Sequence, residues 1–562
     1  MYLLSIHDGH TSTAALFRNN ELLAAASEER FTRKKCQEGM PVNAINYVLN
    51  EAKIAPEDVD EIVLPTLSKP LLGEDLKLTG TNKLRRYVFR FSPYIPSRIR
   101  DSDFALKMYR ALTRKDMSSY NEQIKEMGFK VEPYTLDHHL SHASAYYFSP
   151  FDKALVFTLD GSGDGLSGTV YYAEGDNLQL LKKINSYHSI GEMYTRVTQY
   201  LGMKPLEHEY KVMGLAPYAS KKYGEQAYKK FSKYFTHRNG SIINTSGGYG
   251  LSFLNILKRD MFGVRFDNIA YGLQKRLEEV VLSWINYWVA KKKVYNIVLS
   301  GGVFMNVKLN MKIKNEFPNM FVFPSCGDES LPLTSLAYVS SVKYGKRPKP
   351  LGPIYLGPEY SSDQIENTLE SKKYAKLVRY TRTRSPEREA ARRIADGKIV
   401  ARFNGRMEWG ARALGNRSIL ADASNLVNVQ KINRAIKKRD FWMPFAPSML
   451  DGWHKEYLVN ASYAPYMILA FQSTKLARKD LIAAMHQFDF TVRPQVVKKT
   501  WNPSYYELLY DYSKITGRGG LLNTSFNLHG FPIVNSPSDA LRTLLNSEID
   551  YLIMGNYIIS RR

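Results

Sequence analysis

Twice along this chain, short apolar segments bounded by turn residues give way to a longer helical pattern, and this recurrence constrains the fold more than any other feature. The first series reads as strands around residues 2–6, 13–18 and 21–27, with a turn at Asn19-Asn20. Pro41 then opens a helical pattern carried by Ala44, Ile45, Val48 and Leu49, and Ile62-Val63-Leu64 supplies the next strand. The second series has strands at 154–159 and 169–173, a long helical pattern near 268–290, and a strand at Ile297-Val298-Leu299-Ser300. Two such series predict a duplicated α/β unit with a cleft between its halves. Between Gly345 and Glu359, four prolines and three glycines break every periodicity, so residues 346–359 read as a linker. A first domain over 1–345 and a second α/β domain over 360–562 are therefore expected, and 562 residues suffice for both.

The densest chemistry lies in the first domain. Asp137-His138-His139-Leu140-Ser141-His142 puts His138 and His142 at i and i+4, on one face if the segment is helical, where two imidazoles can share a metal ion. The strand at 154–159 then runs into Asp160-Gly161-Ser162-Gly163-Asp164-Gly165. Such a turn lets backbone N–H groups approach a phosphate while the carboxylate approaches a cation. Ser300-Gly301-Gly302-Val303-Phe304-Met305-Asn306 again leads from a strand past two glycines into a helix. Asp328, after the short strand Phe321-Val322-Phe323, can join Asp160 as an oxygen ligand opposite the two histidines. Two histidines with one or two carboxylates suit Fe(II) or a similar divalent ion. A metal site beside a nucleotide site points to an enzyme.

Only Cys36 and Cys326 are present, too few for a disulfide framework or a thiolate zinc site, which suits a reducing cytoplasm. The amino terminus breaks its apolar run at His7 and Asp8, and no apolar stretch approaches membrane-spanning length, so a soluble protein with no membrane partner is expected. Lys and Arg exceed Asp and Glu by 78 − 54 = 24, an excess that attracts polyanions. Much of it falls in two stretches. The first holds Lys83, Arg85, Arg86, Arg90, Arg98, Arg100, Lys107, Arg110, Arg114 and Lys115, with Tyr87, Phe89, Phe91 and Tyr94 among them. The second, from Lys221 to Arg238, is interleaved with Tyr223, Tyr228, Tyr234 and Phe235. Cations with interspersed aromatics fit phosphate contact and base stacking, whereas solvated helices with inward-packed aromatics are the plainer reading of either stretch alone.

A set of words spanning nearly the whole chain resembles the NodU/CmcH family of O-carbamoyltransferases. They are His7-Asp8-Gly9-His10, Glu28-Glu29-Arg30-Phe31-Thr32-Arg33-Lys34, the histidine cluster, DGSGDG, Glu209-Tyr210-Lys211-Val212-Met213-Gly214, SGGVFMN, Gly410-Ala411-Arg412 through Arg417-Ser418, Met443-Pro444-Phe445, Val492-Arg493-Pro494-Gln495 and Asn523-Thr524-Ser525-Phe526-Asn527. The resemblance implies a duplicated ASKHA (actin/hsp70-like) domain followed by a YrdC-like domain. It implies that the second domain makes carbamoyladenylate from carbamoyl phosphate and ATP, with Mg2+ accompanying ATP, and that the first transfers the carbamoyl group to an acceptor hydroxyl. In that scheme Arg412, Lys438, Arg493 and Ser525 clamp carbamoyl phosphate. Gly161, Ser162, Gly163, Lys211, Gly301, Gly302 and Asn306 hold the nucleotide, while His138, His142, Asp160 and Asp328 hold the metal. His10 is the candidate base for the hydroxyl. The charge excess favours DNA as acceptor, at 5-hydroxymethylcytosine as in phage, with Lys83, Arg85, Arg86, Arg90, Arg98 and Arg100 on the nucleic acid. The alternatives are a small-molecule or oligosaccharide acceptor, or a nucleotide-dependent binding protein that has lost transfer.

Overall fold

A computed structural model describes residues 1–68, 92–437 and 440–562. Two compact units emerge, Met1–Ala25 with Glu38–Leu351, and Ala26–Gln37 with Gly352–Arg562.

The first unit is built from two sheets of five strands. In one, β1 (Tyr2–His7), β2 (Thr13–Arg18) and β3 (Glu21–Ser27) form an antiparallel meander, and β4 (Glu61–Leu64) and β5 (Tyr134–Thr135) extend it in parallel, in the order β3-β2-β1-β4-β5. In the other, β6 (Lys153–Gly163), β7 (Leu166–Glu174) and β8 (Asn177–Asn185) form the meander. After the hairpin of β9 (Phe235–Arg238) and β10 (Ser241–Asn244), β11 (Ile297–Ser300) and β12 (Met320–Val322) complete the order β8-β7-β6-β11-β12. The same order with the same strand directions in both sheets is the duplicated α/β unit expected from the sequence, an actin/hsp70-like (ASKHA) fold. Strands β1 and β11 are buried along almost their whole length and β6 over Ala154–Leu159, which is why they read as continuous apolar runs rather than alternating ones. Phe266–Lys292 forms one 27-residue helix, and Trp284 on it meets Phe157 of β6 edge to face.

The second unit carries one mixed eight-stranded sheet. Its strands are β13 (Val378–Arg382), β14 (Val400–Phe403), β15 (Arg417–Asp422), β16 (Ala446–Leu450), β17 (Phe471–Gln472), β18 (Thr491–Val492), β19 (Gln495–Val497), β20 (Gly520–Ser525), β21 (Tyr551–Met554) and β22 (Tyr557–Arg561). All but the separate β17–β18 pair join in the order β13-β22-β21-β14-β15-β20-β16-β19. Alternation divides the strand side chains between two cores. Ala401, Phe403, Ile419 and Ala421 pack with Ile365, Leu369 and Leu541 of two helices. Val400 and Leu420 face the other way, onto Ile394, Tyr505 and Leu508. The stretch Ala26–Gln37 belongs to this unit, where Arg33 donates to the carbonyls of Ile533 and Pro532 at 2.6 and 2.8 Å and Arg30 donates to that of Gly410 at 2.8 Å. Among the described residues no helix is long and apolar enough to cross a membrane.

Candidate active site

The helix His138–Ala143 carries the histidine pair. Asp137 caps it, its side chain accepting from Leu140 N–H at 2.9 Å, and Arg110 holds the other oxygen of the same carboxylate at 2.5 Å. Asp164 fixes the helix start from the opposite side, accepting from the N–H groups of His138, Leu67 and Ser68. Ser300 at the end of β11 lies 3.3 Å from His142 Nδ1, which turns Nε2 toward the site. His139 faces away, 2.8 Å from Thr158 on β6, and burial pushes its pKa down to about 3.

Asp160 and Asp328 arrive from two other elements. Asp160 sits in β6 where the pairing with β7 slips out of register, so its side chain turns toward the helix. Asp328 opens a short 3-10 turn that leads into the helix Leu331–Tyr338, which Ser335 pins to Ser5 of β1 at 2.9 Å. One donor atom from each of His138, His142, Asp160 and Asp328 lies within 4.8 Å of every other. Both Nε2 atoms are 3.3 Å from Asp160 Oδ2, and they are 3.8 and 3.6 Å from Asp328 Oδ1. Those spacings are expected of ligands sharing an ion with bonds of roughly 2.0–2.2 Å. His142 Nε2 is buried with no hydrogen-bond partner among the described residues, so its lone pair is available to a metal ion. Burial alone would depress His138, but Asp328 and Asp160 outweigh it and hold its pKa up at about 9. The pocket thus favours a positive charge, and its donor set fits a divalent cation.

The glycines near this cluster make room for it. Asp164 and Gly165, at φ of 50° and 84°, form the two-residue turn joining β6 to β7, so DGSGDG is a hairpin with its centre left-handed. A Cβ on Gly163 would lie 2.1 Å from the His138 ring, and one on Gly302 would lie 2.8 Å from Asp160 Oδ1. Gly301, at φ 101°, crosses the backbone of Leu159. Ser162 is exposed, and Gly161 has open space around it. Asn306 is the N-cap of the helix Val307–Glu316, and its side chain is also paired with Gln274. That amide is committed to the fold. Lys211 lies half-buried on the helix Glu209–Leu215.

His10 is half-buried in the turn after β1, with Nδ1 4.0 Å from Glu38 Oε1. The carboxyls of Glu209 and Glu329 also face it, and burial raises both. The turn is anchored by Asp8. Its carboxylate accepts from Lys115 Nζ at 2.5 Å and from the Tyr120 hydroxyl, and its carbonyl accepts from Gly39 N–H. Burial would raise Asp8, but Lys115 outweighs it and holds the carboxyl below its usual range.

Comparison with known proteins places this geometry. Residues 3–331 match the family model "Carbamoyltransferase N-terminus", and residues 391–561 match "Carbamoyltransferase C-terminus". The chain belongs to the carbamoyltransferase family. An uncharacterized protein of Methanocaldococcus jannaschii is 34% identical over 572 residues, covering 100% of this chain and 99% of the relative. Nodulation protein NolNO of Sinorhizobium fredii is 30% identical, covering 99% of this chain and 79% of its own length. Nodulation protein NolO of Bradyrhizobium diazoefficiens is 32% identical over 76% of this chain and 79% of its own. The protein is a carbamoyltransferase.

In this carbamoyltransferase the second unit gathers the remaining motif residues. Buried Glu408 holds the loop Gly410–Ser418, its Oε1 accepting from the N–H groups of Leu414, Asn416 and Arg417 at 2.5, 3.2 and 3.2 Å. Arg417 is fully buried and donates to the carbonyls of Asn404, Gly405 and Pro358, a structural role, whereas Arg412 is half-buried. Arg493 is half-buried between β18 and β19, and Ser525 ends β20. Lys438 lies outside the described residues. Its neighbour Lys437, which sequence reasoning passed over, sets Nζ 3.2 Å from Ser525 Oγ and 2.6 Å from Asn527 Oδ1. The consecutive lysines of Lys437-Lys438 were the available signal, without a way to choose between them.

Of the basic residues expected on nucleic acid, Lys83, Arg85, Arg86 and Arg90 lie outside the described residues. Arg98 is exposed. Arg100 stacks on Tyr187 at 3.8 Å and pairs with Asp101, Arg110 holds Asp137, and Lys115 is wholly buried against Asp8. In the second stretch Tyr234 and Phe235 are core residues and Tyr228 bonds Glu279, while Tyr223 is exposed.

Proposed function

We propose that the chain is an ATP-dependent O-carbamoyltransferase working at two stations. In the YrdC-like second domain water hydrolyses carbamoyl phosphate to carbamate and phosphate, and the carbamate oxygen then displaces pyrophosphate from ATP to give carbamoyladenylate, with Mg2+ on the nucleotide. Arg412, Arg493, Ser525 and one lysine of the Lys437-Lys438 pair bind the phosphates there. The first domain transfers the carbamoyl group to a hydroxyl and leaves AMP. The observation that carries this reading is the convergence of His138, His142, Asp160 and Asp328 on one point, in a chain of this family. His138, His142, Asp160 and Asp328 would hold Fe(II) or a similar divalent cation, which would supply a Lewis acid there. His10 takes the proton of the acceptor hydroxyl, and Glu38 stabilises the imidazolium that results.

The acceptor is the hydroxyl of a small molecule or an oligosaccharide. Three cations of the first basic stretch, Arg100, Arg110 and Lys115, are used inside the unit, and the carboxylates around His10 would repel a phosphodiester backbone. Several relatives of comparable length are named as nodulation proteins. The net charge of +24 is what favours hydroxymethylated DNA as the second reading. Carbamoyl phosphate and ATP supplied with either an aminosugar and oligosaccharide panel or 5-hydroxymethylcytosine DNA separate the two. A carbamoyl mass on the sugars alone is expected, and the same mass on the nucleoside alone would reverse the assignment. Arg493→Ala should abolish adenylate formation, whereas His10→Asn should spare it and stop transfer.

A further inference from the structure

His7 ends β1 beside the metal cluster and takes no part in it. It is 2% exposed, and neither ring nitrogen has a hydrogen-bond partner among the described residues. Buried polar atoms are seldom left so, and two on one ring call for a ligand. Its neighbour Asp8 is committed to Lys115 and Tyr120. The carboxylate that His7 faces is Asp328, with Nε2 4.0 Å from Oδ2. That distance is too long for a hydrogen bond, yet it lies within the span of two ligands on one ion, about twice a bond of roughly 2.1 Å.

The oxygens of Asp328 are thereby divided. Oδ1 faces His138 and His142 at 3.8 and 3.6 Å, while Oδ2 faces His7. A carboxylate divided in this way can bridge paired ions, which in two-metal sites stand about 3.5–4 Å apart. We propose that His7 and Asp328 Oδ2 form a second divalent-cation subsite, joined to the first by the bridging Asp328 carboxylate. Imidazole with carboxylate selects Mn2+, Fe2+ or Zn2+ over Ca2+. Two protein donors leave most of the coordination sphere open, so water and the phosphate oxygens of a nucleotide complete it. The proposal rests on the first cluster being a metal site and does not depend on the acceptor.

Full-length protein with Mn2+ and AMP tests it, read by elemental analysis and by electron paramagnetic resonance. The wild type should hold two Mn2+ per chain with a spin-coupled signal. His7→Ala, and the milder His7→Gln, should each hold one with an uncoupled signal, and that retained ion shows that the fold survived. One ion in the wild type, or two in both variants, overturns the subsite. A wild type that holds one ion and still transfers carbamoyl groups overturns the subsite alone, and one that binds none and transfers nothing overturns the transferase reading as well.

Discussion

Gly163 leaves room for the His138 ring. Its α-carbon is so close to the His138 ring that a methyl group there would overlap Cγ, Cδ2 and Nε2 at 2.1–2.4 Å. The ring is held by a helix whose start is tied to Asp164, so the strain displaces the imidazole rather than the strand. Gly163→Ala should therefore weaken binding at the His138–His142 cluster about 10–100-fold, the scale seen when a ligand loses its support, while the protein stays folded. Mn2+ titration with a circular dichroism control checks this, and unchanged affinity would mean that the ring has slack. The histidine spacing was legible from sequence because i and i+4 fall on one helical face whatever surrounds them. The purpose of the glycines was not. DGSGDG read as a turn that could approach a phosphate, and only the fold places the His138 ring against Gly163 and puts the two turn residues, Asp164 and Gly165, in the left-handed region.

At the scale of elements, the segments around the site are fastened by partners remote in sequence. Lys115 reaches across 107 positions to Asp8 and is wholly buried, so Lys115→Met leaves a buried carboxylate without its cation. Breaking a buried pair from one side costs about 3–5 kcal/mol, which should appear as a lower midpoint in urea unfolding, and a loss under about 1 kcal/mol would show that water reaches Asp8. The loop Gly410–Ser418 depends in the same way on Glu408, whose one oxygen accepts three backbone N–H groups. Glu408→Gln keeps the shape and removes the charge, so the second unit should lose about 1–3 kcal/mol. Adenylate formation should fall with it, and activity without destabilisation would place Glu408 outside the scaffold. None of this was readable from sequence. Lys115 looked like one more member of a solvated basic stretch, since a local pattern carries no information about a partner a hundred residues away.

For the whole molecule, the duplication of an α/β unit was legible because two series of short apolar runs each give way to a helical pattern, whereas the strand order was not. The inclusion of Ala26–Gln37 in the second unit was not legible, because its anchors, Arg30 and Arg33, donate to backbone carbonyls that no side-chain pattern announces. The two stations proposed for this chain make a separable demand on metal. The His138–His142–Asp160–Asp328 cluster belongs wholly to the first unit, whereas Arg412, Arg493 and Ser525 belong to the second. A chelator selective for transition ions, with Mg2+ kept in excess for ATP, should leave pyrophosphate release from carbamoyl phosphate and ATP within about two-fold of the untreated rate. Transfer to the acceptor should fall by two or more orders of magnitude, because a Lewis acid contributes several kcal/mol of transition-state stabilisation and each 1.36 kcal/mol is tenfold in rate. Restoring Fe2+ or Mn2+ should return it. If chelation stops both reactions equally, the cluster serves the adenylation chemistry too, and if it stops neither, the four converging side chains hold the two sheets together and nothing more.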